Sequence, residues 1–248
     1  MHPVVYYIII FLAIGGAGMA LANRRAGPAE KRQRWLKYFT YILFTGVVVL
    51  GIFYHFITAV AGVIVLGGAA ELVKAYSVMA PKKNVAALIA FLFFGLAATG
   101  FILFTMMYKP AFLLFIYFQV LVFDGFCQIT GQLFGRHLLA PAVSPAKTWE
   151  GLAGGTLFCV IAALMCADWV ESGLLSAACF GLGTAAAGFT GDLLASFYKR
   201  KAGIKDYSNW LPGQGGFLDR FDSFLVAGAT YFLLPLTIFG NALLPFLK

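Results

Sequence analysis

Apolar residues run along this chain in long, nearly unbroken stretches, and short polar segments separate them. A helix of about 20 apolar residues spans a hydrocarbon core of about 30 Å, and only a helix or a closed barrel satisfies its backbone hydrogen bonds inside lipid. A transmembrane β-barrel would show short alternating segments instead, and these stretches do not alternate. The pattern predicts eight membrane-spanning helices at 3–22, 36–54, 57–74, 85–107, 110–130, 151–167, 174–194 and 223–245.

Composition agrees with that pattern. The chain is 61% hydrophobic and only 11% charged, and its mean hydropathy is +0.88. A soluble domain could not bury so much apolar surface, so we predict an all-α, polytopic integral membrane protein. We expect a single membrane domain over 1–248, in which 1–109 supplies transmembrane helices and 110–248 carries the chemistry.

Basic residues are concentrated between alternate pairs of predicted spans. The loops 23–35, 75–84, 131–150 and 195–222, with their flanks, hold sixteen of the eighteen Lys and Arg residues. The positive-inside rule places those loops in the cytoplasm, so we expect both termini outside, in a bacterial cytoplasmic (inner) membrane. Arg24 and Arg25 follow the first apolar segment, whereas a signal peptide carries its positive charge before it, so we expect a retained helix. Topology and anionic headgroups explain the net charge of +8, and nucleic acid is not needed as a partner.

The first polar motif is "FDGFCQITGQLFGRHLLAPAVSPAKTWEG" at 123–151. Asp124 lies toward the inner end of a span, where an unpaired charge is costly and usually functional or paired. Ser144, Lys147 and Thr148 offer two hydroxyls and an ammonium, which suit phosphate oxygens. A helix cap with solvated loop charges explains the same residues equally well.

The second motif begins at "GFTGDLLASFYKR" and closes at Asp222. Its carboxylates and cations suggest an anionic ligand held partly through a divalent metal, because Mg²⁺ prefers one or two carboxylates plus phosphate oxygens. The glycines of "PGQGG" let the backbone approach such a ligand, but no Walker A pattern follows them. Together the two motifs predict phosphoryl or nucleotidyl transfer between a membrane lipid phosphate and a soluble phosphate compound.

The order and spacing of these residues resemble the signature of the phosphatidate cytidylyltransferases (CDP-diacylglycerol synthases). The residues that match the family pattern are Asp124, Ser144-Pro145-Ala146-Lys147-Thr148-Trp149-Glu150-Gly151, Ser196, Lys199-Arg200, Lys205-Asp206, Pro212-Gly213-Gln214-Gly215-Gly216, Asp219-Arg220 and Asp222. The resemblance covers residues of about 120–225. The preceding residues match only in being multispanning.

The resemblance implies that CTP and phosphatidic acid react to give CDP-diacylglycerol and pyrophosphate. It implies a requirement for Mg²⁺, leaves room for a second cation, and suggests a homodimer. The roles that it implies are Asp192 and Asp219 as metal ligands, Asp219, Lys199 and Asp222 in catalysis, and Asp124, Ser144, Lys147, Thr148, Ser196, Arg200, Lys205, Gln214, Gly215, Gly216 and Arg220 in substrate binding.

Three positions depart from the family pattern. Gln214 replaces the usual histidine, and a glutamine amide can replace its hydrogen bonds but not a proton transfer. Ala195 stands where many bacterial members carry Glu, and Tyr198 where an aliphatic residue is usual. The alternatives are therefore a CTP-dependent transferase or kinase acting on another lipid, such as a polyprenol or a modified lipid phosphate, and an inactive relative that binds anionic lipids.

Overall fold

The computed structural model describes residues 3–25, 27–79, 84–170, 173–212, 214–233 and 246–247. Over these residues the chain forms eight helices and one β-hairpin. In chain order they are α1 (Pro3–Ala22), α2 (Pro28–Phe53), α3 (Ile57–Ser77), α4 (Asn84–Met107), α5 (Pro110–Phe134), β1 (Leu138–Ala140), β2 (Ser144–Thr148), α6 (Trp149–Met165), α7 (Leu174–Ala202) and α8 (Phe217–Leu233). Short 3₁₀ turns follow α1 at Asn23–Arg25 and α6 at Ala167–Val170.

Each predicted span coincides with one of these helices, although residues 234–245 of the last span lie outside the described residues. The helices α2, α3, α4, α5 and α7 are long and apolar enough to cross a membrane. The helix α6 is apolar but shorter. The protein is therefore an all-α polytopic membrane protein, as its composition predicted.

Several helices, α2 and α7 above all, reach further into the polar segments than the apolar pattern predicted. Helix α2 begins at Pro28, where a proline suits the first helical turn, so the basic residues after it lie on a helix. Helix α7 continues to Ala202 and ends at Gly203, which adopts the left-handed φ of 76° typical of a helix C-cap. Lys199 and Arg200 thus lie on the last turn of α7, where cations interact favourably with the helix dipole.

Helix α5 is the centre of the bundle. In its apolar part 67% of the residues are buried, against 33% in each of α2, α3 and α4. It packs most extensively against α6, while α7 packs against both α6 and α8, and α8 packs along α4. Because α5, α7 and α8 carry Asp124, Asp192, Asp219 and Asp222, this packing brings the motifs together at one end of the bundle.

Helices α5 and α6 approach each other through small residues. A Cβ atom on Gly155 would lie 2.2 Å from Cys127 Sγ, and one on Gly151 would lie 2.8 Å from the Cys127 carbonyl oxygen. Such distances are far shorter than van der Waals contact, so the helices can be this close only with glycine at these positions. The first motif, which links the two helices, is held tightly to the bundle as a result.

Candidate active site

Charged side chains from both motifs form one polar cluster at this end of the bundle. They are Asp124 on α5, Lys147 on β2, Asp192 and Lys199 on α7, and Asp219, Arg220 and Asp222 on α8. All seven were predicted as site residues from the sequence. The cluster thus alternates carboxylates and cations, which is the composition that a site for phosphate and a divalent metal requires.

An ion pair joins the two motifs. Lys147 Nζ lies 2.8 Å from Asp192 Oδ2 and 5.1 Å from the centre of the Phe189 ring. At this distance the two groups form an ion pair, and the ammonium has no further hydrogen-bond partner among the described residues. The Asp192 side chain is 40% exposed, and Ser196 Oγ donates to its other oxygen at 3.3 Å. Lys147 and Asp192 are therefore held together, and the partly exposed Asp192 carboxylate remains accessible to a ligand.

Asp219 is held by donors on both of its oxygens. Lys199 Nζ donates to Oδ1 at 2.6 Å, and the backbone N–H groups of Tyr207 and Gly216 donate to Oδ2 at 2.8 and 2.9 Å. The Asp219 side chain is only 6% exposed. In this arrangement Asp219 organises the loop between α7 and α8, and its oxygens face protein donors.

Asp124 and Asp222 are linked through Ser223. The Ser223 hydroxyl lies 3.3 Å from both Asp124 Oδ1 and the Gly188 carbonyl oxygen, and its backbone N–H donates to Asp222 Oδ1 at 2.7 Å. Both carboxylates also interact electrostatically with Asp192. Carboxylates so placed repel one another unless cations neutralise them, so the cluster attracts positive charge.

Arg220 supplies positive charge to these carboxylates from the buried side of the cluster. Its guanidinium carbon lies 4.3 Å from the centre of the Tyr41 ring on α2, a geometry typical of a cation–π contact. It interacts electrostatically with Asp124. Arg220 Nε is buried and has no hydrogen-bond partner among the described residues, so this donor remains for a ligand or water.

The glycine-rich segment forms a tight turn before α8. Leu211 N donates to the Gly215 carbonyl at 2.9 Å, and Gln214 N donates to the Leu211 carbonyl at the same distance. Gly215 has a φ of +84°, which favours glycine. Gln214 Nε2 donates to the Lys37 carbonyl on α2 at 2.8 Å. The side chain at this position therefore acts as a hydrogen-bond anchor in this protein; Gly213 lies outside the described residues.

Other predicted phosphate-binding groups hold the polypeptide in place. Thr148 Oγ1 accepts from Gly151 N at 3.1 Å and caps α6, so the alternative of a helix cap is confirmed for this residue. Arg200 donates to the carbonyls of Val143 and Ile204 at 3.1 and 3.2 Å, which ties the hairpin to the end of α7. Ser144 is half-buried at the start of β2, and Lys205 is exposed in the loop after α7.

The sequence interpretation missed a buried carboxylate from the N-terminal half of the chain. Glu71 on α3 is 1% exposed and accepts hydrogen bonds from Ser208 Oγ, Phe217 N and Leu218 N. Its sequence signal was a lone acidic residue in the apolar run 57–74, where a charge needs a partner. The partners are distant in sequence, so only the fold reveals them.

A second missed contact closes the base of the hairpin. His137 Nδ1 lies 2.6 Å from Glu150 Oε1, and the backbone N–H groups of Arg136 and His137 donate to Oε2 at 3.1 and 3.3 Å. These hydrogen bonds, with that of the His137 ring first, lower the pKa of Glu150 to about 2. Glu150 is therefore ionised at neutral pH and supports the hairpin that presents Lys147.

The residues of the cluster fit a magnesium ion that is held partly by substrate. No group of three or more His, Cys, Asp or Glu side chains in the described part of the chain could hold a metal ion by itself. Mg²⁺ bound through one or two carboxylates, phosphate oxygens and waters does not need such a group. Asp192 meets this requirement because it is partly exposed and interacts electrostatically with two further carboxylates, Asp124 and Asp222.

Several known proteins are similar to part of this chain. A phosphatidate cytidylyltransferase of Haemophilus influenzae is 36% identical over 126 residues, which are 48% of this chain and 43% of that protein. One of Aquifex aeolicus is 37% identical over 123 residues, covering 50% and 46% of the two chains. Phosphatidate cytidylyltransferase 4, chloroplastic, of Arabidopsis thaliana is 39% identical over 113 residues, covering 44% and 28%.

The matched segments span less than half the length of these relatives. A family comparison covers far more of the chain, because the model described as "Cytidylyltransferase family" matches residues 4–238. That range includes both motifs and every residue of the polar cluster, and the chain therefore belongs to the cytidylyltransferase family.

Proposed function

We propose that this protein is a membrane nucleotidyltransferase that converts CTP and phosphatidic acid to CDP-diacylglycerol and pyrophosphate. The observation that carries the proposal is the contact of Lys147, from the first motif, with Asp192, from the second. This contact joins the two motifs, each of which has residues suited to binding phosphate, into a single site. The names of the similar proteins support the choice of substrates.

The proposed reaction is an in-line displacement at phosphorus. A phosphatidate oxygen attacks the α-phosphorus of CTP, a new P–O bond forms, and the bond from the α-phosphorus to the bridging oxygen of the β-phosphate breaks. Pyrophosphate leaves with that electron pair. The attacking oxygen is anionic near neutral pH, so no strong general base is needed. Positioning and charge neutralisation supply most of the catalysis, as in other phosphoryl transfers.

The basic residues of the cluster neutralise the phosphates in this proposal. Lys147 lies where the phosphates would bind, because its ammonium contacts Asp192 Oδ2 at 2.8 Å and so sits where the two motifs meet. Lys199 already donates a hydrogen bond to Asp219, so it holds the loop in place. The other N–H groups of its ammonium would contact the substrate phosphates. Arg220 approaches from the interior, with its Nε free of hydrogen bonds in the described part of the chain.

Asp192 is the proposed principal ligand for Mg²⁺, with Asp124 or Asp222 beside it. When bound, Mg²⁺ would neutralise phosphate charge and favour departure of pyrophosphate. Asp219, the other ligand implied by the resemblance, is only 6% exposed and already accepts from Lys199 at Oδ1 and from two backbone N–H groups at Oδ2, so it is the less accessible ligand. A second cation and a homodimer also stay predictions.

The cluster faces the cytoplasm in this proposal, because CTP is supplied from that side and basic residues are concentrated there. The lipid phosphate reaches it from the headgroup region of the same leaflet. Both termini then lie outside, as the distribution of Lys and Arg predicts.

The test is product analysis with purified protein in detergent, supplied with CTP, Mg²⁺ and phosphatidate. We expect CDP-lipid and pyrophosphate in equal amounts. Asp192→Asn should lower kcat/KM by about 100-fold, equivalent to about 2.7 kcal/mol, because it removes the charge that neutralises the metal. The control Glu30→Gln makes the same kind of change at an exposed carboxylate that pairs with Arg34 on α2, and its activity should match wild type.

Other outcomes would contradict the proposal in distinct ways. Release of CDP with a newly phosphorylated lipid would identify a kinase. Binding of anionic lipid without turnover would identify an inactive relative. If Gln214→His forms CDP-lipid and wild type does not, Gln214 has made the site inactive.

Equal turnover by the two proteins would instead support the proposal. It would show that the glutamine replaces the histidine as a hydrogen-bonding group.

A further inference from the structure

Glu71 is a buried carboxylate that lies outside both motifs. It sits in the C-terminal half of α3 and is only 1% exposed. A charged group inside a membrane helix is costly unless it is paired or hydrogen-bonded. The partners of Glu71 therefore indicate why the protein keeps it.

Those partners lie in the loop before α8 and in the first turn of α8. Ser208 Oγ donates to Glu71 Oε1 at 2.5 Å, Phe217 N donates to Oε1 at 2.9 Å, and Leu218 N donates to Oε2 at 2.9 Å. The first N–H groups of a helix have no partner within it, and a negative charge is favourable there. Glu71 thus caps α8 from a different helix.

Glu71 also explains one of the two adjacent glycines. A Cβ atom on Gly216 would lie 2.2 Å from Glu71 Oε1, so the bound carboxylate leaves room only for glycine. Gly215 instead has the positive φ, and a Cβ on it would lie 2.8 Å from Asp219 Oδ2. The glycine pair is therefore enclosed between two carboxylates, of which only Asp219 belongs to the motif.

The turn that Glu71 caps carries three residues of the polar cluster. Asp219, Arg220 and Asp222 lie on the first turns of α8, and Asp219 accepts from Gly216 N directly before Phe217. We propose that Glu71 is a positioning residue for the reaction, which fixes the start of α8 and thereby the geometry of these three side chains. It acts through α8 and does not itself contact substrate; its catalytic consequence rests on the proposed function.

The first test compares steady-state kinetics of Glu71→Gln and Glu71→Ala with wild type. Misplacement of reacting groups by about 1 Å can cost about 100-fold in rate, so we expect kcat to fall by about 10- to 100-fold. KM for CTP should change by less than about threefold, because Lys147 and Asp192 lie on other elements. Glu30→Gln is the matched control and should leave both constants unchanged.

A double-mutant cycle tests the specific contact. Gly216→Ala should lower kcat in wild type because its methyl group displaces the Glu71 carboxylate. In the Glu71→Ala background that methyl group meets no carboxylate, so the second substitution should cost little. Coupling of this kind is expected only for residues in contact. Independent, multiplying effects of the two substitutions would overturn the proposal.

Amide hydrogen exchange at Phe217 and Leu218 gives a reading that does not depend on activity. Both amides should exchange faster in Glu71→Ala, while amides in the middle of α5 keep their protection. If wild type makes no CDP-lipid, the proposed function fails, and the exchange still decides whether Glu71 fixes α8. Unchanged exchange, or a raised KM with unchanged kcat, in either Glu71 variant would overturn the inference. Glu71→Gln keeps one acceptor oxygen and supplies the comparison if Glu71→Ala does not fold.

Discussion

At the scale of single residues, Asp192 and Asp219 have the same side chain but different surroundings. Asp192 is 40% exposed and contacts Lys147, whereas Asp219 is 6% exposed and accepts hydrogen bonds from Lys199 and two backbone N–H groups. A buried carboxylate with three donors stabilises the loop that it organises. An exposed one is free to take part in chemistry.

This difference predicts that the same substitution at the two positions affects stability differently. In Asp219→Asn the amide NH₂ group faces N–H donors and cannot accept their hydrogen bonds. The substitution should therefore lower the free energy of unfolding by about 1–3 kcal/mol, and it should also lower the activity. Asp192→Asn should lower activity with a smaller loss of stability than Asp219→Asn, because Asp192 is partly exposed and an amide oxygen can still accept from Lys147. Thermal unfolding in detergent, measured beside turnover, separates the two. Equal stability of the two variants would show that Asp219 does not organise the loop.

The sequence was sufficient to identify the residues of the cluster but not the role of each. Residue type and spacing selected Lys147, Asp192 and Asp219. Thr148 and Arg200 were selected for phosphate, yet they cap α6 and bind backbone carbonyls, because a hydroxyl or guanidinium suits either use. Glu71 escaped prediction because its partners lie in α8, and pairing between distant segments is set by tertiary packing.

At the scale of elements, the apolar pattern predicted where helices lie in the membrane but not where they end. Helices α7 and α8 extend into the second motif because their ends are set by caps, which the apolar pattern does not contain. Gly203 ends α7 only after its cationic last turn, and Glu71 caps α8 from α3. Lys199 and Asp219 thus face each other from two helices, not from one flexible loop.

The α5–α6 interface gives a prediction at this scale. Gly155→Ala should destabilise the protein by about 1–3 kcal/mol, because its methyl group overlaps Cys127 Sγ in a packed interface. Cys127→Ala in the same chain should restore part of the loss. Gly95→Ala on α4 is the control, since a Cβ there has no neighbour within 4 Å, and alanine favours a helix. The measurement is the midpoint of thermal unfolding in detergent for wild type, the two single glycine variants and the double variant. Equal midpoints for Gly155→Ala and Gly95→Ala would contradict the close packing of α5 and α6.

At the scale of the whole molecule, the two halves of the chain depend on each other. The second half carries both motifs, but α2 and α3 of the first half hold the glycine-rich turn. Gln214 and Thr40 join it to α2 through the Lys37 and Pro212 carbonyls, and Glu71 joins it to α3. The first helices therefore complete the site, although both motifs that carry the resemblance lie in the second half of the chain.

The orientation of the protein in the membrane depends on the distribution of basic residues over all of its loops. The predicted cytoplasmic loops and their flanks hold all Lys and Arg residues except Lys109 and Lys248, and such a bias sets orientation during insertion. We expect the loop between α7 and α8, which contains the exposed Asn209, to face the cytoplasm. The junction of α4 and α5, where Lys109 is exposed, should face outside.

Single cysteines introduced at these two positions test the orientation, in a chain whose four native cysteines are replaced by alanine and which still turns over CTP. A membrane-impermeant maleimide added to intact spheroplasts should label Lys109→Cys and leave Asn209→Cys unlabelled. Inverted vesicles should give the reverse. Labelling of Asn209→Cys from outside would place the polar cluster on the wrong side for cytoplasmic CTP, and the proposed reaction would fail on access even with every catalytic side chain in place.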